Sequence, residues 1–374
     1  MNVYIQKIIT YDLNEIKQFL EITLQKIDFF SKIKDKKNVL LKPNLLGAYK
    51  PEAAVTTHPI IIEALIQILI ENNKNVALGD SPGGAVFVGT VWEKTGIKKL
   101  CEKYDIKLLN FSEGRISKHS SINKKFTISE YFFEADAVIN LPKYKTHSLM
   151  YYTGAIKNLY GIIPGLKKSD YHKNYPTISD FSEVITDLYS IAREKVVLNI
   201  LDGIWGMEDE GPSAGITRNF GIMMVSEKAS ALDHIASRMF GFKDSQLMYI
   251  SKAMEIDNIL PDDIEIDNEW KDFKFKDVKI KKVSAFVKIL SYSPKIFQNF
   301  FKKHFEFKPD FNGKCVLCNV CVQSCPVQAM TLNKGDKHPE IDYEKCIKCM
   351  CCHELCPHQA VYINKSFLAK FIIK

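Results

Sequence analysis

Two cysteine runs near the carboxyl end constrain this chain more than anything else in it. CVLCNVCVQSCP starts at Cys315 and CIKCMCCHELCP starts at Cys346. Both have the form C-x2-C-x2-C-x3-C-P: Cys315, Cys318, Cys321, Cys325 and Pro326, then Cys346, Cys349, Cys352, Cys356 and Pro357. Nine of the ten cysteines fall between 315 and 356. A disulfide framework suits a small secreted domain, and a chain of 374 residues is not one. Clustered thiols argue for metal instead. Zinc sites use C-x2-C pairs with four ligands in total. Two complete four-cysteine runs, each closed by Cys-Pro, exceed what one zinc ribbon needs. Cys351 is a spare thiol, read as buried or as a substitute ligand.

The runs resemble those of the bacterial two-cluster ferredoxins, over residues 310–364. The resemblance implies two [4Fe-4S] clusters in a small α+β ferredoxin-like domain. Three thiolates on one tight loop reach three irons of a cube, and the fourth points to the other cluster. It therefore implies Cys315, Cys318, Cys321 and Cys356 around one cluster. Cys346, Cys349, Cys352 and Cys325 would surround the second. The prolines fix the turn at each fourth ligand. His353, Glu354 and His358 superficially suggest a zinc protease, but the histidines are five residues apart. One helical face presents ligands at a separation of four. The formal charge of +7 drops to about +3 once eight thiolates and two oxidised cores are counted. That is too diffuse to name a partner, and nucleic acid is not expected.

Upstream, strand-like and helix-like segments alternate over roughly the first 280 residues. NVYIQKII, VLLKPN, NVALGD, DAVINLP, KVVLNILDG and FGIMMVS read as strands. LNEIKQFLEITLQKIDFF, HPIIIEALIQILIENN, VWEKTGIKKLCEKY and ASALDHIASRMFGF read as helices. This alternation predicts an α/β domain at 1–284 with a mainly parallel sheet and flanking helices. Residues 285–309 read as a helical linker, 310–364 as the cluster domain and 365–374 as a basic, apolar tail. HPIIIEALIQILIENN is interrupted by Glu63 and Gln67, so it reads as a buried helix, not a membrane span. The aromatic, basic linker and the tail are read as packing segments rather than membrane-surface helices. The amino-terminal segment lacks the pattern of a cleaved leader, and the expected location is the cytoplasm.

Candidate site residues fall where predicted strands end, the edge at which open α/β sheets bind ligands. LKPNL brings Lys42 and Asn44 there. TTHP sets Thr57 and His58 before a helix that opens on Pro59, where free N–H groups suit an anion; capping by Thr57 or His58 is the alternative. GDSPGG supplies Asp80 and Ser81 and glycines that allow close approach to a ligand, or an ordinary tight turn. Neither a Walker nor a dinucleotide glycine motif occurs. In LPKYKTH, Lys143, Lys145 and His147 alternate, so they share one side of an extended chain and would converge on an anion. Lys157, Asn158 and Gly161 follow. A solvated basic loop is the bland alternative. Asp202 of LDG would orient a lysine or a ligand. Asp233 sits in an apolar helix as a buried partner or a site member.

LKPN, TTHP, GDSPGG, LPKYKTH with GAIKNLYG, LDG and SEKASALDHIASRMFG together resemble the domain of unknown function 362 family, over residues 35–245. Members often carry a C-terminal two-cluster ferredoxin domain. The leading expectation is an iron–sulfur oxidoreductase exchanging electrons with a partner protein. Its α/β domain would bind a small anionic or carbonyl-bearing substrate, or a further redox cofactor. Lys143, Lys145, His147 and Lys157 would bind the anion and supply protons, with Lys42, Asn44, His58, Asp80, Ser81, Asn158 and Asp233 completing the site. The alternative is a non-enzymatic electron-transfer or docking module. A weaker one is racemase-like chemistry on a hydroxy acid, with regulatory clusters.

Overall fold

The computed structural model describes residues 1–121, 123–175, 177–280 and 307–366. Most of the expected linker and tail therefore lies outside the described residues. The amino-terminal strands are β1 (Tyr4–Lys7), β2 (Asn38–Pro43), β3 (Asn75–Asp80), β4 (Lys107–Asn110), β5 (Ile116–Ser120), β6 (Lys125–Ser129), β7 (Ala137–Leu141), β8 (Lys143–His147), β9 (Tyr151–Thr153), β10 (Val196–Glu208) and β11 (Ile216–Ser226). The main sheet runs β1-β11-β10-β7-β2-β3-β4. The five strands from β10 to β4 are parallel, and β11 and β1 close one side antiparallel.

Apolar residues on both faces of these strands account for their near-continuous hydrophobic runs. In β2, Val39 and Leu41 pack with helices Leu13–Lys26, Pro59–Glu71 and Ile97–Tyr104. Leu40 packs on the other side, with helices Ile178–Ala192, Ala229–Phe240 and Met248–Asp257. The result is three layers around a sheet buried on both faces. VWEKTGIKKLCEKY forms two helices rather than one, Val88–Lys94 and Ile97–Tyr104, because Gly96 turns left-handed between them (φ +78°).

At the carboxyl edge the strands stop being apolar. Lys42 on β2 pairs with Asn140 on β7, which pairs with Asn199 on β10; Asp80 on β3 pairs with Asn110 on β4. KYKTH is not a solvated loop. It is β8, buried along its whole length, and it continues the sheet edge beside Asp202 and Met207 of β10.

The cluster domain is built from β12 (Phe307–Phe311) against β15 (Val361–Lys365), and β13 (Met330–Thr331) against β14 (Glu340–Ile341), both antiparallel. It docks on the carboxyl edge of the main sheet. Tyr49 Oη donates to the Cys356 carbonyl at 3.0 Å, Ser213 Oγ to the Glu354 carbonyl at 2.6 Å, and the Ala85 N–H to Ser324 Oγ at 3.0 Å. The glycines of GDSPGG serve this docking. A Cβ on Gly83 would strike Leu355, and one on Gly84 would strike Ser324 and Leu355. The sequence reading offered close approach to a ligand or an ordinary tight turn; the close approach seen here is to the cluster domain.

Candidate functional site

The two cysteine runs fold into near-copies. Leu317, Asn319, Lys348 and Met350 all adopt positive φ, between 57° and 64°. The left-handed residues flank Cys318 and Cys349, so each C-x2-C-x2-C loop coils tightly and gathers its thiols. Gln328 and Gln359 are left-handed three residues after Cys325 and Cys356. Next to them, the Ala329 and Ala360 N–H groups donate to Cys325 Sγ and Cys356 Sγ, each at 3.2 Å.

The four thiols around each void come from both runs. One void is lined by Cys315, Cys318, Cys321 and Cys356, with Phe311, Val316 and Leu317. The other is lined by Cys325, Cys346, Cys349 and Cys352, with Pro309, Met330 and the spare Cys351. Among the described residues, no three His, Cys, Asp or Glu side chains converge closely enough to hold a single metal ion. Each cysteine set surrounds a volume instead, with N–H donors aimed at sulfur. That donor set and shape fit a four-iron, four-sulfide cube with one ligand drawn from the opposite run.

A third cavity, of about 90 Å³, lies between the two domains. From the main sheet edge it is lined by Asn44, Asp80, Ser81, Lys145, Lys157 and Asn158. Lys168 and His172 enter from the helix Lys167–Asn174, and Cys351, Glu354 and Leu355 from the cluster domain.

The buried charges are held in distinct ways. Lys42 Nζ donates to Asp80 Oδ1 at 2.9 Å, and the other carboxylate oxygen accepts from the Leu45 N–H at 2.8 Å. Gly161 lies against this pair, since a Cβ there would strike both Asp80 and Lys42. Among the described residues Lys145 Nζ has no carboxylate bonded to it; it donates to Asn44 Oδ1 at 2.9 Å and to the Val55 carbonyl at 2.6 Å. Burial and the neighbouring Lys157 and Lys143 push its ammonium well below the usual lysine range. Lys157 Nζ makes no hydrogen bond among the described residues; burial lowers it too, opposed by Glu354. Lys168 donates to the carbonyls of Ser81 and Pro82, and burial brings it down to about 7. Glu354 Oε1 is buried without a hydrogen-bond partner among the described residues. His147 Nε2 lies 3.3 Å from it.

The remaining expected site residues stand elsewhere. Lys143, Lys145 and His147 share one face of β8, but strand rise spreads them over about 13 Å, so they do not converge. Lys143 Nζ donates to Asp202 Oδ2 at 2.7 Å and to Tyr11 Oη at 2.8 Å. Asp202 also accepts from the His58 N–H at 2.9 Å, and Tyr11 stacks on the His58 ring at 3.6 Å. His58 caps the Pro59–Glu71 helix through Nδ1, and burial drops it to about 4. This network ties β8, β10 and that helix together outside the cavity. Asp233 is not at the cavity either. It accepts the Ala155 and Ile156 N–H groups at 2.6 and 2.8 Å and so fixes the turn that presents Lys157 and Asn158. Asn158 bridges Asn140, 2.8 Å from its Nδ2, and Asn44. Sequence reasoning missed Lys168, His172 and Glu354.

Residues 39–238 match the sequence profile described as Domain of unknown function (DUF362), and residues 314–360 that of the 4Fe-4S dicluster domain. The thylakoid-associated protein sll1697 of Synechocystis sp. is 34% identical over 205 residues, which is 54% of this chain and 63% of that protein. This chain thus spans less than two-thirds of that relative's length. A lactate racemase apoprotein from Thermoanaerobacterium thermosaccharolyticum superposes with a TM-score of 0.32 at 16% identity, over 44% of this chain and 42% of the other; so slight a likeness carries no argument. Among the described residues no helix is long and apolar enough to cross a membrane. The cysteine cradles and the dicluster match support iron–sulfur electron transfer by the carboxyl-terminal domain. The matched sheet domain makes the chain a member of the DUF362 family, carrying a 4Fe-4S dicluster domain behind it.

Proposed function

We propose that the protein exchanges electrons between a partner redox protein and a small anionic or carbonyl-bearing molecule held in the cavity between its domains. One observation carries the reading. Cys351 lines both the cradle of Cys325, Cys346, Cys349 and Cys352 and the lysine-bearing cavity. A single side chain's thickness therefore separates the second cluster's place from the cavity's contents. When bound, the clusters supply electrons one at a time.

This chain's own residues do the rest. Lys145, Lys157 and Lys168 attract and orient an anion. Asn44 and Asn158 fix Lys145 and the cavity floor. Lys168, with an ammonium that loses its proton at about 7, is matched to proton exchange near neutrality. Leu355 of the docked cluster domain forms part of the opposite wall. Electrons would enter at the other cradle, where Cys318 is exposed beside Val316 and Leu317, 57% and 43% exposed.

The test uses holo-protein reduced anaerobically and mixed with pyruvate or glyoxylate, following cluster absorbance. At least one acid is expected to reoxidise the clusters. Lys145→Met and Lys157→Met should slow that step about 100-fold or more at unchanged iron content. Equal rates in wild type and both variants would remove the cavity from the electron path. Reoxidation only by a protein acceptor, weakening steeply with salt, would leave a docking module instead.

A further inference from the structure

The cavity presents two kinds of polar group. On one side stand three lysines; among the described residues Lys157 Nζ has no hydrogen-bond partner and Lys145 Nζ no bonded carboxylate. On the cluster-domain side stands Glu354, 7% exposed, whose Oε1 makes no hydrogen bond among the described residues and faces His147 Nε2 at 3.3 Å. Asp80, the other acid in the lining, is already satisfied by Lys42 and the Leu45 N–H. A carboxylate accepts at about four lone-pair sites, so beside His147 it still has room for a further donor. The free ammonium calls for an acceptor. Neither group satisfies the other: no hydrogen bond links Glu354 to Lys145 or Lys157, though each acts on the other electrostatically.

Size sets the other limit. A water takes about 10–15 Å³ of such space, so a cavity of about 90 Å³ admits a molecule of a handful of non-hydrogen atoms. Nucleotides and flavins need clefts several times larger, of about 300–1,000 Å³.

We propose that the cavity binds a short-chain acid carrying a hydroxyl group, with its carboxylate among Lys145, Lys157 and Lys168 and its hydroxyl donating to Glu354, rather than a nucleotide or flavin cofactor. This inference rests on the reading of the cavity as the substrate site, and it narrows that substrate's class.

Glycolate and propionate have the same number of non-hydrogen atoms and differ in one group, hydroxyl against methyl. Isothermal titration of each into anaerobic, full-length holo-protein separates the two ends of the site. Glycolate should bind at least tenfold more tightly than propionate, as expected for a hydrogen bond to a charged group. Glu354→Met should collapse that preference while keeping affinity for propionate. Lys157→Met and, separately, Lys168→Met should weaken both acids tenfold or more, with iron content and circular dichroism unchanged. Equal affinities in wild type overturn the hydroxyl contact. Binding of neither acid, unchanged binding in both lysine variants, or tighter binding of FMN or ATP overturns the ligand class. These measurements move no electrons. A protein that discriminates the two acids but fails to exchange electrons with any acid sinks the proposed function and leaves this site standing.

Discussion

At the scale of single residues, the pairing of buried charge explains Lys42 and Lys143 but not the cavity lysines Lys145, Lys157 and Lys168, of which Lys168 gives the clearest test. Lys42 and Lys143 each meet a carboxylate, at 2.9 and 2.7 Å. Among the described residues Lys168 Nζ donates only to the carbonyls of Ser81 and Pro82, while Asp80, Lys42 and Lys157 act on it from the sheet edge and the neighbouring turn. Burial holds it at about 7, so in the folded protein its charge is present below that pH and lost above it. Affinity for an acid that stays ionised throughout, such as glycolate, should therefore fall as pH rises through about 7, approaching tenfold per unit at most. Lys168→Met should remove that break. The same break in the variant would assign the titration elsewhere. The effect on stability has its own sign. With the folded pKa depressed, the contribution is complete above the ordinary lysine range and is lost as pH falls toward about 7.

At the scale of elements, a turn in the sheet domain is shaped for the other domain. Gly84 is left-handed (φ +60°), and a Cβ there would strike Ser324 Oγ and Leu355. Gly84→Ala therefore strains the turn by about 1–2 kcal/mol and also pushes against the cluster domain. Gly241→Ala is the control: it has the same handedness (φ +95°) at the end of a helix, with nothing within 4 Å of the added methyl. Both should lower the melting temperature. Only Gly84→Ala should raise amide hydrogen exchange in 351–355 and loosen binding in the cavity. Identical exchange there in the two variants would detach this turn from domain docking. The turn also marks where sequence reading ends. The alternation of β8, the strand-end position of Lys42 and Asp80, and the duplicated thiol spacing are periodic or local, and so legible. The partner of Gly84 lies about 240 positions away and is not. Lys168 was hidden for a related reason: KKSDYHKN is polar all round, and nothing local tells buried Lys168 from exposed Lys167. Glu354 read as a failed zinc motif because its role depends on docking against a distant strand. The convergence expected of Lys143, Lys145 and His147 overlooked strand rise, which separates residues that share a face.

At the scale of the whole molecule, the two cradles are unequal although the runs that build them are alike. One opens at exposed Cys318, while the other shares Cys351 with the inter-domain cavity. Exchange of the fourth cysteine ties the two together, and it makes a sharp prediction. If ligands group by cradle, Cys356→Ala and Cys318→Ala should deplete the same cluster, and Cys325→Ala and Cys349→Ala the other. If ligands group by run, Cys318 would pair with Cys325, and Cys349 with Cys356. Iron and acid-labile sulfide should fall by about half in each single variant, since each cube is held by its own four thiolates. The identity of the surviving cluster is read by electron paramagnetic resonance with and without glycolate. Cys356→Ala and Cys318→Ala should keep a signal that glycolate perturbs, because the cluster beside the cavity remains. Cys325→Ala and Cys349→Ala should keep one that glycolate leaves unchanged. Cys351→Ser keeps both ligand sets and should retain full iron. A spectrum of Cys325→Ala that matches Cys318→Ala would show that the runs fold as separate units, and the crosswise arrangement of the two voids would then be wrong.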